Sequence, residues 1–195
     1  MKVLAVNGSA RKDGNTAVLL RHVLTELEKE GIATELVQLS GRTVRGCAAC
    51  RVCIEKKNNR CSNDKDVVNE LIAKMIDADG ILLGSPVYFA DLTPELKALI
   101  DRAGYVAKAN GNLFRRKAGA AVVAVRRAGA MHAFDSINHF FFISEMVVPG
   151  SSYWNIGVGR DKGDVEGDAE GVQTMKTLGQ NMAWLLKKMN GEAQR

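Results

Sequence analysis

Proline is scarce in this sequence: Pro86, Pro94 and Pro149 are all it has, and no stretch is low in complexity. That excludes a proline-rich linker and a collagen-like rod. No apolar run approaches the ~18 residues that a membrane span needs. The longest, such as Gly119–Val125, suits a buried strand. The opening Met-Lys-Val-Leu-Ala-Val-Asn-Gly has no basic region followed by an apolar region and a cleavage site, so the expected location is the cytoplasm. Three short motifs are also missing: Gly-x-x-x-x-Gly-Lys-Ser/Thr, Gly-x-Gly-x-x-Gly and Gly-x-Ser-x-Gly. Their absence speaks against a Walker-type phosphate loop, a dinucleotide Rossmann site and a serine-hydrolase elbow.

What remains is ordinary globular material. The 195 residues are 46% hydrophobic and 25% charged. The expectation is one domain over 1–195, with a cysteine-rich insertion at about 41–65. Net charge is +5, with small basic clusters at Arg42/Arg45/Arg51/Lys56/Lys57/Arg60, Arg115–Lys117 and Arg126/Arg127. A nucleic-acid protein would gather these into a dense stripe, so neither nucleic acid nor membrane is an expected partner. A mild positive field suits anionic cofactors or acidic protein partners.

Periodicity orders the chain. Lys2–Asn7 reads as a buried strand, and Ala17, Leu20, Leu24 and Leu27 mark a helix closed by Gly31. Thr34–Leu39 is a second strand candidate, and residues 40–65 have no clear period. Val67, Leu71 and Met75 give a helix with Asp64 or Asp66 as N-cap. Gly80–Gly84 is a third strand, and Thr93-Pro94-Glu95 opens a third helix. Ala118–Val125 is a fourth strand, Ala133–Ile143 a helix, Glu145–Pro149 a short fifth strand, and 157–168 a loop. Val172 to Met189 carries a last amphipathic helix. The alternation predicts an α/β fold: a flavodoxin-like, three-layer, doubly wound, five-stranded parallel sheet of order 2-1-3-4-5. Ligands then bind beyond the carboxyl ends of the first and third strands.

Two loops stand there. Gly8-Ser-Ala-Arg-Lys-Asp-Gly-Asn-Thr16 joins a strand to a helix N-terminus. Backbone N–H groups and the helix dipole there favour a phosphate. Ser9 and Thr16 add hydroxyls, Arg11 a cation and Asn15 a cap or donor. Gly84-Ser-Pro-Val-Tyr-Phe-Ala-Asp91 offers backbone groups fixed by proline and two aromatics, which suits the polar edge and face of a planar heterocycle. A phosphate site beside a ring site is what flavin mononucleotide requires.

Together, Gly-Ser-x-Arg-x-x-Gly-Asn-Thr and Gly-Ser-Pro-Val-Tyr-Phe resemble the flavodoxin-like NAD(P)H-dependent FMN reductase family. The cysteine segment between them resembles its iron–sulfur flavoprotein branch, and Arg126–Gly129 and Tyr153–Asn155 extend the likeness. The resemblance implies that Ser9, Arg11, Asn15 and Thr16 meet the FMN phosphate. Pro86, Val87, Tyr88 and Phe89 would contact the isoalloxazine and ribityl chain, with Arg127, Ala128 and Gly129 approaching from the fourth loop. It also implies a homodimer or homotetramer, in which Tyr153 and Trp154 either line a neighbour's pocket or simply pack.

Cys47-x2-Cys50-x2-Cys53-x7-Cys61 contains every cysteine of the chain. Disulfides do not suit a reducing cytoplasm. Zinc sites usually show two separated Cys-x2-Cys knuckles. Three thiols at i, i+3 and i+6 match the start of the bacterial ferredoxin run, though the x3-Cys-Pro ending is absent. The readings are a [4Fe–4S] cluster, a zinc ion, or free thiols at a subunit interface. The surrounding basic residues would offset thiolate charge or dock an acidic electron donor such as a ferredoxin. His22, His132 and His139 have no metal-ligand spacing and read as structural, Phe140–Phe142 as core or interface, and 159–167 as a turn.

The functional expectation is an FMN-dependent oxidoreductase relaying electrons between a [4Fe–4S] cluster and FMN, with NAD(P)H or a ferredoxin-type protein as donor. The chemistry is flavin-centred, so no catalytic side chain is assigned. The alternatives are a cluster-free NAD(P)H-dependent FMN or quinone reductase, a non-enzymatic flavodoxin-type carrier, and a zinc-stabilised binding module.

Overall fold

The computed structural model describes residues 1–191; the last four residues of the expected 1–195 domain lie outside the described residues. Five parallel strands run in the order β2-β1-β3-β4-β5, flavodoxin-like as expected. They are β1 (Lys2–Asn7), β2 (Ala33–Gln38), β3 (Gly80–Pro86), β4 (Ala118–Val125) and β5 (Ile156–Val158). The α-helices are α1 (Asn15–Lys29), α2 (Val52–Lys56), α3 (Val68–Asp77), α4 (Pro94–Ala109), α5 (Ala130–Ile143) and α6 (Ala169–Met189). No described helix is long and apolar enough to cross a membrane.

Period-two alternation divides the core between two faces. Val3 and Ala5 of β1, Leu82 of β3 and Ala120 and Val122 of β4 pack against α1 and α6. Leu4 and Val6, Ile81 and Leu83, and Ala121 and Val123 pack against α3, α4 and α5. All eight residues of β4 are buried, because helices cover both sides of a central parallel strand. Strand β2 lies at the edge and alternates with polar residues; its Glu35 pairs with Lys2 and Lys74.

The fifth strand differs from expectation. Residues 145–149 make a single parallel bridge, Val147 to Ala118, at the start of β4. Glu145 has left-handed φ, and Pro149 lacks the N–H that a longer ladder needs. The edge of β4 is completed in pieces: the Asn155 side chain donates to Ala121 O at 3.0 Å, and Ile156–Val158 then forms β5. Two boundaries also shift. Helix α5 starts at Ala130, three residues early, behind a left-handed Gly129. The N-cap of α3 is Val67, although Asp66 Oδ1 still accepts from Val68 N at 3.2 Å.

Candidate functional site

The loop after β1 is buried at Gly8, Ser9 and Gly14–Thr16 and exposed at Ala10–Lys12. Ser9 and Thr16 are 4% and 1% exposed. Ser9 N donates to Asn7 Oδ1 at 3.0 Å, and Arg11 N donates to Ser9 Oγ at 3.1 Å. Gln38 Nε2, from β2, donates to Ser9 O at 2.6 Å. The loop ends at Gly14, the N-cap of α1, and no side chain caps the helix. Such a terminus presents orphan N–H groups and the positive end of the helix dipole, the arrangement that receives a phosphate. The Asn15 side chain instead bridges to the loop after β5, donating to Asp161 O and accepting from Gly163 N, both at 2.9 Å. It fixes the frame of the loop.

The loop after β3 is locked to the first. Gly8 N donates to Gly84 O at 2.8 Å, and Thr93 Oγ1 donates to Gly8 O at 2.9 Å. A side chain at Gly8 would meet Leu96 Cβ at 2.9 Å and Gly84 O at 3.1 Å, so the approach requires glycine. Val87 N donates to Ala124 O, which seats the loop over β4. Tyr88 and Asp91 then close a tight turn with N–H to O bonds of 2.8 and 3.2 Å. Its two central residues, Phe89 and Ala90, have φ of 43° and 74°, a conformation that normally selects Asn or Gly. Phe89 is fully exposed at the tip and Tyr88 half-exposed. From the fourth loop, Gly129 lies 3.3 Å from Val87 Cγ1 and 3.7 Å from Ala90 Cα, measured from where its Cβ would stand. Arg127 and Ala128 are exposed beside it. Three loops thus converge on one end of the sheet.

The cysteine segment follows β2. Cys47, Cys50, Cys53 and Cys61 all line one cavity of about 360 Å³, shared with Arg102, Tyr105 and Val106 of α4. Among the described residues no three His, Cys, Asp or Glu side chains stand close enough to hold a single metal ion. Four non-glycine residues, Ala49, Arg51, Lys57 and Asn59, have left-handed φ, which bends the chain around the cavity. The thiols differ. Cys50 Sγ lies 3.1 Å from Ser62 Oγ, a bond that pulls its thiol below the usual range. Burial pushes Cys53 up, and the neighbouring thiolates add to this.

Beneath the cavity lies a buried ion pair. Arg102 Nη1 bonds the Asp66 carboxylate, with side chains 1% and 0% exposed. Burial pushes the Asp66 carboxyl up, but bonds from Arg102, Arg45 N and Val68 N outweigh it and hold the group below its ordinary value. Arg102 also donates to Arg45 O at 3.1 Å, Asn63 O at 2.6 Å and Cys61 Sγ at 3.3 Å. Asn69 of α3 accepts from Cys61 N and donates to Cys61 O. Sequence reasoning missed Arg102, Asn69 and the bond that the Thr93 hydroxyl makes across to Gly8 O. The signal for Arg102 was present: an arginine on the apolar stripe Leu99–Ala103–Val106.

The family model for NADPH-dependent FMN reductase matches residues 1–161, both flavin-type loops and the cysteine segment included. The chain belongs to that family. Membership makes it an FMN-dependent oxidoreductase. An iron–sulfur flavoprotein of Methanocaldococcus jannaschii is 38% identical over 194 residues, covering 96% of this chain and 98% of its own. A second from the same organism is 30% identical over 200 residues, covering 98% and 100%. Among solved structures, a flavodoxin from the domain Archaea superposes with a TM-score of 0.62 at 16% identity, covering 96% of this chain and 99% of that one.

Proposed function

We propose that the chain relays electrons between a [4Fe–4S] cluster held by Cys47, Cys50, Cys53 and Cys61 and an FMN held by the loops after β1, β3 and β4. One observation carries the reading: all four thiols line a single cavity of about 360 Å³. Thiolates are the ligands such clusters take, and relatives covering 96% and 98% of the chain are called iron–sulfur flavoproteins. When bound, the cluster supplies single electrons and the flavin accepts two, with protons drawn from water. The chain's own residues bind and orient. The N-terminus of α1, with Ser9, Arg11 and Thr16, receives the phosphate; Pro86–Phe89 with Arg127, Ala128 and Gly129 bound the ring. Asn15 holds the neighbouring loop in place.

The donor in this reading is an acidic ferredoxin-type protein. Arg45, Arg51, Lys56, Lys57 and Arg60 are exposed around the cysteine segment, and among the described residues none is in an ion pair. Such a patch speeds the encounter with a negative partner and loses its effect as salt rises.

Purification without oxygen, followed by a visible spectrum and iron, sulfide and zinc analysis, tests the reading. About four irons per chain beneath flavin bands supports it. Flavin without iron reduces the protein to an FMN or quinone reductase with a cysteine-rich segment, and NAD(P)H oxidation then identifies the donor. One zinc per chain moves Cys47, Cys50, Cys53 and Cys61 to a structural role.

A further inference from the structure

Of the four thiols in the cavity, only Cys61 receives a hydrogen bond from a buried cation among the described residues. Arg102 Nε donates to Cys61 Sγ at 3.3 Å. Cys47 Sγ accepts from Ala49 N at 3.4 Å, and Cys50 Sγ meets the Ser62 hydroxyl, both in an exposed stretch. The guanidinium cannot swing away. Three of its four remaining N–H groups are committed to Asp66, Arg45 O and Asn63 O, residues on either side of the cysteine run. Three of these partners belong to the segment and its exit; the arginine belongs to α4, inside the core. Asp66 bonds Nη1, while the sulfur bonds Nε directly, so the positive end of the pair is the nearer charge to Cys61.

We propose that Arg102 is the positioning residue of the metal centre: it fixes the Cys61 sulfur and raises the reduction potential of a cluster bound there. The proposal rests on the cluster reading above. Potentials of iron–sulfur centres follow hydrogen bonds to sulfur, local net charge and solvent exposure. A guanidinium bonded to one ligand sulfur supplies the first two and is itself dry, where charge acts at lower dielectric than in water. Adding an electron makes the cluster more negative, so a fixed adjacent cation stabilises the reduced form. The same contact makes the four thiols unequal. Cys61 meets a buried cation and packs against the core, while Cys47 and Cys50 are exposed.

The test compares variants that differ in Arg102 alone. Asp66→Asn removes the nearby negative charge and keeps the arginine. Arg102→Gln/Asp66→Asn then removes the arginine without leaving a buried carboxylate unpaired. Each protein is assayed for iron and sulfide, and its cluster potential is measured by dye-mediated titration followed by electron paramagnetic resonance. We expect Asp66→Asn to lie above wild type. The double variant should lie below Asp66→Asn by at least a tenfold change in the oxidised-to-reduced ratio, 59 mV for a one-electron couple. Loss of iron from the double variant alone, with its circular dichroism unchanged, would equally support the positioning role. Full iron content and one shared potential in the two variants would overturn it. Wild-type protein lacking iron and sulfide would instead end the cluster reading on which it stands.

Discussion

The loop 8–16 and the segment 41–65 follow neighbouring strands and open at the same end of the sheet, yet they are held by different means. The first is fastened through its own backbone atoms: Gly8 N donates to Gly84 O, and Gly8 O and Ser9 O accept from the Thr93 and Gln38 side chains. Ser9, Asn15 and Thr16 are buried, Arg11 and Lys12 are exposed, and Gly8 sits where a Cβ would strike Leu96 and Gly84. The second is fastened by side chains. Arg102, Asp66 and Asn69 hold it, Cys47 and Cys50 are exposed, and its bends pass through four non-glycine left-handed residues. The loop after β1 is therefore built onto the folded core, whereas the cysteine segment is attached to it by a few polar contacts.

The largest expected effect breaks the attachment. Arg102→Met leaves the Asp66 carboxylate buried and unpaired, which costs about 3–5 kcal/mol. Urea denaturation should show it, with most of the loss recovered in Arg102→Met/Asp66→Asn. If the single variant lost under 1 kcal/mol, the segment would not depend on this pair. Next comes the loop after β1. Gly8→Ala forces a Cβ against a backbone carbonyl and a core leucine, an overpacking cost of about 1–3 kcal/mol. Unlike Arg102→Met, it should also weaken FMN binding while leaving iron content per folded chain unchanged.

A third change separates phosphate from ring. Arg11→Ala/Thr16→Ala should raise the dissociation constant of FMN about tenfold or more, roughly 1.4 kcal/mol. Riboflavin, which has no phosphate, should bind the variant and wild type alike. Equal losses for both ligands would remove the phosphate from this loop. A smaller effect is read in acid. The folded-state Asp66 carboxyl lies below its unfolded value, so its contribution is complete above the ordinary carboxylate pKa of about 4. That contribution is lost as pH falls through the folded value. Wild-type stability should therefore decline below about pH 4 more steeply than that of Asp66→Asn.

The same contrast explains what could be read in advance. Strand β4 was legible at both ends because Ala118–Val125 is one unbroken run of small and β-branched residues, buried on both faces. The Thr93-Pro94-Glu95 start of α4 was legible because capping is local, and Thr93 does accept from Leu96 N. Strand β5 was not, because three residues containing a glycine carry no periodic signal, and the apolar stretch before Pro149 carried a stronger one. Helix α2 was hidden between left-handed Arg51 and Lys57, which no propensity favours. Ser9 and Thr16 were legible as residues of a strand-to-helix junction. Arg102 was not, since its role comes from partners 36 to 57 residues away.

The smallest expected effect lies at the tip of the loop after β3. Phe89 and Ala90 occupy the two left-handed positions of a tight turn, and neither is the residue such a turn prefers. Left-handed backbone costs an L-residue about 1–2 kcal/mol. Ala90→Gly removes that cost without touching a core contact, because Ala90 is exposed. Thermal unfolding should shift upward by the equivalent of about 0.5–1 kcal/mol, net of the extra freedom glycine gives the unfolded chain. If the strain serves to hold the exposed Phe89 against the flavin, the gain in stability comes with weaker FMN binding and unchanged cluster content. A gain with no loss of flavin affinity would make the tip a passive turn.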